Sequence, residues 1–134
     1  MMPKSSRHTS DYRLNVFHHV DDQSGQRSVR FVVRTVQEFV SFNYQVLLDV
    51  RVDNGEVLLK ITGIHAPVMV MPGIGPARGF ADLTGLKGSY GLTINKLKKE
   101  VNRFQIEVTD GAVRILKSPS KPFILVSPDP IPLT

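Results

Sequence analysis

From Tyr44 to Asp53 the chain alternates without interruption, with Tyr44, Val46, Leu48, Val50 and Val52 on one side of an extended backbone. A period of two is the signature of a half-buried strand. Asn54 and Gly55 follow, the dipeptide most favourable to a two-residue type I′ turn, and Glu56 to about Ile64 forms the returning strand. That turn sets Val52 against Val57, Val50 against Leu59 and Leu48 against Ile61. On the opposite face it brings Asp49 across from Lys60. Apolar side and charge pair agree on one register.

The same test succeeds near the C-terminus. Phe104, Ile106 and Val108 alternate with Arg103, Gln105, Glu107 and Thr109, Asp110 and Gly111 turn, and Ala112 to Lys117 returns. A two-residue loop then sets Val108 against Val113, Ile106 against Ile115, and Glu107 against Arg114. Upstream, Tyr90, Leu92 and Ile94 alternate with Gly91, Thr93 and Asn95. A connection from Lys98 to Asn102 would set Ile94 against Ile106 and complete a three-stranded meander. Ile94, Leu97, Val101 and Phe104 also fit helical spacing, so a helix near 93–104 is the competing expectation.

Tyr12, Leu14, Val16, His18 and Val20 share a face and predict a first strand, closed by a turn over Asp21 to Gln26. Val29 to Phe42 has apolar residues at helical spacing, but its valines, phenylalanines and threonine favour extended, bent chain. Five prolines from Pro119 onward limit the C-terminus to an edge strand at Phe123 to Val126 and a solvated tail. The domain reading is a flexible N-terminal segment over 1–11, one β-rich domain over 12–127 and a proline-rich tail over 128–134. The fold expected is all-β, a single antiparallel sandwich of about eight to ten short strands. A closed β-barrel, or an α+β fold with helices near 29–42 and 93–104, is the alternative.

Leu83 to Ile94, LTGLKGSYGLTI, resembles the stretch that leads into a late strand of immunoglobulin-like and fibronectin type III domains. The resemblance implies a sandwich with Leu86 in the core and Tyr90 as a corner tyrosine bonding back to the upstream backbone. The extra hairpin after this strand departs from a simple seven-stranded topology.

With 134 residues and 41% apolar content the chain can bury one real core. It has no cysteine, which removes disulfides and thiolate chemistry, and no run of about 18 apolar residues of the kind a spanning helix needs. No membrane association is expected. The expected location is the cytoplasm, or the exterior if a signal peptide has been removed. The net charge of +5 is scattered, its one dense group being Lys96, Lys98, Lys99 and Arg103. Read as a solvated turn, that group gives only weak, nonspecific attraction to nucleic acid or another polyanion.

The most motif-like stretch is MVMPGIGPARG, Met69 to Gly79. Pro72, Gly73, Ile74 and Gly75 look like the turn of a helix-hairpin-helix module, but Gly63, Pro67 and the β-branched residues before them oppose the required helix. Gly73, Gly75 and Gly79 echo a dinucleotide loop, yet Pro76 removes a donor and no βαβ unit surrounds it. The stretch reads as a crossover loop, with Pro72, Ile74, Pro76, Arg78 and Phe80 as a partner-binding surface. His18 and His19 point to opposite faces of a strand and cannot grip one ion together, and His65 has no companion ligand. Asp21 and Asp22 beside Gly25 are turn residues, and no GxSxG elbow is present. No catalytic, cofactor-binding or metal-binding residue is assigned. The expected function is therefore a noncatalytic module that binds another protein or self-associates through an edge strand. Polyanion binding at the lysine turn, or a small apolar ligand inside a barrel, is the alternative.

Overall fold

In the computed structural model, which describes residues 11–39, 44–65, 75–96 and 100–131, Asn54 and Gly55 both take left-handed backbone, with φ of 48° and 73°. This is the pair of angles a type I′ turn requires. It joins β3 (Gln45–Asp53) to β4 (Glu56–His65), and Val52↔Val57, Val50↔Leu59, Leu48↔Ile61 and Asp49↔Lys60 pair as the alternation predicts. Gly55→Val should destabilise the fold by about 1 to 3 kcal/mol, because a β-branched side chain is forced to positive φ. Denaturant titration checks this, and an unchanged midpoint would count against the turn.

Every regular element among the described residues is a strand. Before the hairpin come β1 (Tyr12–Val20) and β2 (Arg27–Phe39). After it come β5 (Gly75–Leu83), β6 (Gly88–Lys96), β7 (Glu100–Val108), β8 (Val113–Lys117) and β9 (Ile124–Ser127). Asp21 organises the β1–β2 turn by accepting hydrogen bonds from the Gln23 and Ser24 N–H groups at 2.7 and 3.1 Å. Those bonds, Ser24's first, hold its carboxyl below the usual carboxylate range. Their support is present above about pH 4 and is lost as pH falls through the lowered value.

The antiparallel sandwich is not confirmed, and the barrel given as the alternative lies closer to the structure. All nine strands join in the order β8-β7-β6-β4-β3-β5-β2-β1-β9, and the sheet curls into a nearly closed barrel. Three of its pairings are parallel: β1 with β9, β3 with β5, and β4 with β6. The helices considered near 29–42 and 93–104 are strands wherever those residues are described; β2 carries a register shift between Arg34 and Glu38 against β5. The meander β6-β7-β8 forms, but Ile94 pairs with Asn102 rather than Ile106. Both strands continue to the Lys96↔Glu100 pair, whose side chains meet at 2.7 Å, so a shorter connection keeps the same faces inward. At the β7–β8 turn the register is as expected, with Thr109 N–H donating to Ala112 O at 2.9 Å.

Alternation fills the interior. Leu14, Phe31, Leu59, Ile61, Leu92, Ile94, Ile106 and Ile124 are fully buried, contributed by strands all around the barrel. Side-chain bonds cross the seam that the ladder leaves open. His18 Nε2–H donates to Thr109 O at 2.6 Å, Arg27 Nη2 to Asp110 O at 2.9 Å, and Phe123 N–H to Asn102 Oδ1 at 2.9 Å. The Tyr90 hydroxyl accepts from Lys87 N–H at 3.0 Å, so the upstream bond expected of that tyrosine exists within a topology unlike a seven-stranded sandwich.

Candidate functional site

The residues singled out in the sequence are dispersed by the fold. Pro72, Ile74, Lys98 and Lys99 lie outside the described residues. Pro76, Arg78 and Phe80 are not in a loop but on strand β5, where Pro76 sits opposite Glu38 near the end of the ladder. A proline is tolerated there because the neighbouring register shift already interrupts the regular pattern.

Lys96 does not belong to a free basic turn. Its ammonium bonds Asp11 at 2.9 Å and Glu100 at 2.7 Å, and it lies 5.1 Å from the centre of the Phe123 ring. Burial pulls its pKa down, but the hydrogen bonds to Glu100 and Asp11 more than offset that and hold it above the usual lysine range. Its contribution to stability is thus complete below the ordinary lysine pKa and is lost only as pH rises through the raised value. Arg103 is exposed, at the rim of an open depression shared with Glu56, Gln105 and Lys117. Among the described residues no cluster of three His, Asp or Glu side chains could hold a metal ion.

A different grouping emerges on the outer face of β1, β2 and β5. Leu14, Val16, Phe31 and Val33 point inward, so the intervening residues point outward. The ladders align these outward residues in three rows: Arg13↔Arg34↔Arg78, then Asn15↔Val32↔Phe80, then Phe17↔Arg30↔Asp82. Asn15, Phe17 and Val32 are buried even though they face outward. The C-terminal segment contributes to this layer, its Asp129 carbonyl accepting from Asn15 Nδ2 at 2.9 Å.

Charge is balanced in the third row and unbalanced in the first. Arg30 Nε and Nη2 grip the two Asp82 oxygens at 2.7 and 2.9 Å, a bidentate pair. The hydrogen bond to Asp82 holds the Arg30 guanidinium above the usual arginine range. Among the residues whose side chains are described, no carboxylate pairs with Arg13, Arg34 or Arg78. Half-buried Arg34 donates from Nη2 to Asn15 Oδ1 at 3.1 Å, while its Nε is buried with no partner among the described residues. Burial first, and then the positive charges of Arg13 and Arg78, hold Arg34 below the usual arginine range. It remains a cation at any ordinary pH.

Three arginines stand in register on adjacent strands whose backbones lie about 5 Å apart, and guanidiniums grouped in this way suit phosphate or carboxylate oxygens. The line of paired residues continues through exposed Gln45 on β3 to exposed His65 on β4. Sequence reading missed this row because its members are isolated in the chain. Alternation could have placed each one outside, but not side by side. No protein-family model, curated protein or solved structure matches this chain.

Proposed function

We propose that the protein is a noncatalytic binding module that takes a phosphate-bearing anion on the outer face of β1, β2 and β5. One observation carries the reading: Arg13, Arg34 and Arg78 stand in register with a half-buried, incompletely bonded guanidinium at the centre. Like charges directly opposite one another destabilise a sheet, and a buried donor without a partner costs on the order of 1 to 3 kcal/mol. An anion would relieve the like-charge term, and local costs of this kind concentrate at functional sites. The net charge of +5 adds a long-range attraction of the same sign.

Self-association through an edge strand is the competing reading, with exposed Leu116 on β8 and Leu125 on β9 as its apolar contacts. The arginine face argues for an oppositely charged partner instead.

Titration calorimetry with linear inorganic polyphosphate tests the proposal. Binding should be measurable at about 50 mM salt and weaken steeply as salt rises. Arg13→Met with Arg78→Met should lower affinity by about tenfold or more per guanidinium removed. Lys98→Met, Lys99→Met and Arg103→Met together should have a smaller effect. The reverse ranking would move the site to the lysine turn.

A further inference from the structure

We infer that the ligand of this face is a single-stranded nucleic acid, with a base stacked on Phe80 and adjacent phosphates on Arg13, Arg34 and Arg78. The inference rests on the anion-binding reading above and adds a second, independent feature.

Phe80 is 50% exposed on the outward side of β5. It is not a loose surface ring. The Arg30 guanidinium carbon lies 4.6 Å from the ring centre, and the Arg30 side chain is only 14% exposed. The cation thus sits against the ring, bolted in place by its two bonds to Asp82. Because the Asp82 carboxylate neutralises Arg30, this contact fixes the orientation of Phe80 without adding an available charge to the face. The side of the ring turned away from Arg30 is a preorganised aromatic platform.

Its position relative to the arginines matters as much as its exposure. Phe80 and Arg78 are two residues apart on one face of β5, roughly 7 Å along the strand. Val32, directly across from Phe80, is completely buried, and Arg34 lies diagonally beyond it. The cations therefore line one side of the ring. Aromatic stacking beside a positive track is how proteins hold single strands without strong sequence preference, since every base offers a π-face. A duplex keeps its bases within the stack and cannot use the platform. Polyphosphate or a phosphopeptide would engage the arginines and leave the ring without a role.

Fluorescence anisotropy separates these cases, using a labelled thymidine 12-mer, an abasic 12-mer of equal charge and a duplex of the same length. The thymidine strand should bind about tenfold more tightly than the abasic strand, the range expected for stacking of one base. With three phosphate contacts, its affinity should fall about twentyfold between roughly 50 and 200 mM salt. Phe80→Ala should abolish the preference for bases, bringing the thymidine strand to the affinity of the abasic strand, and Phe80→Trp should preserve or increase it. Arg13→Met with Arg78→Met should weaken both strands alike. Equal binding of the two strands, insensitive to Phe80 but sensitive to the arginines, would overturn the nucleic-acid assignment and leave the anion site standing. Insensitivity of every probe to the arginines would overturn both. Tighter binding of the duplex than of the thymidine strand would likewise reject the single-strand inference. The tryptophan variant keeps the test decisive even if the alanine variant folds poorly.

Discussion

Replacing Gly79 by alanine should strongly destabilise the protein. Gly79 lies in β5 where that strand passes β3, and a Cβ there would run into the Val46 carbonyl oxygen. It would also stand 3.1 Å from the Val46 carbonyl carbon and 3.2 Å from Leu48 Cδ2. A flexible side chain could swing aside, but the Val46 carbonyl cannot. Its strand is tied to β4 by a long ladder, and Val46 itself is buried in the core. Relief requires β3 and β5 to separate where Gln45 and Arg78 pair, reopening the barrel. The cost expected is about 3 kcal/mol or more, a large share of a typical domain's 5 to 15 kcal/mol. Thermal melting should show a midpoint lowered by roughly 10 °C or more, or no cooperative transition. Gly63→Ala is the matched control, since a Cβ at that strand position meets nothing within 4 Å. Equal melting of the two variants would show that β3 and β5 do not approach so closely.

Arg34→Met should cost the site most of its affinity and the fold nothing. The charged guanidinium is disfavoured by burial and by Arg13 and Arg78, so its pKa is lower folded than unfolded. By linkage, a cation with a depressed pKa opposes folding wherever it is charged, here at every practical pH. Methionine retains the unbranched stem and removes both the like-charge repulsion and the unpartnered Nε. Buried Asn15 Oδ1 loses its donor, a cost that offsets part of this relief, while Asn15 Nδ2 keeps its bond to the Asp129 carbonyl. Stability should therefore be unchanged or rise by up to about 1 kcal/mol, with the gain over the native chain shrinking as salt screens the repulsion. Affinity for polyphosphate should fall by about 10- to 100-fold, the worth of a charge-assisted hydrogen-bonded contact. A variant that melts several degrees lower and still binds normally would make Arg34 a structural residue.

What each level determined follows from the range over which its physics acts. Asn54-Gly55 dictates its own backbone angles, and those angles fix the β3–β4 register. At Asp110-Gly111 the agreement of Val108, Ile106 and Glu107 with their partners was likewise written in adjacent residues. The Asp21 turn and the Tyr90 bond to Lys87 are equally local. Period-two alternation told which side of β1, β3, β4, β6, β7 and β8 faces the core, while for β2, where helical spacing competed, it gave only extended chain. It carried no information about which distant strand becomes a neighbour. The parallel pairings of β1 with β9 and β4 with β6, and the choice of one curled sheet over two flat ones, arise only when all the apolar faces are buried together. Gly75 to Gly79 looked like a loop because glycine and proline are weak strand formers. Tertiary contact made it part of a strand, since only a glycine at position 79 permits the close passage of β3. Lys96 read as a solvated charge because Asp11 is remote in sequence, yet folding places the two 2.9 Å apart. The arginine row is the clearest division between the levels. Alternation turns Arg13, Arg34 and Arg78 outward one by one, and the antiparallel registers of β2 with β1 and β5 then set three like charges abreast.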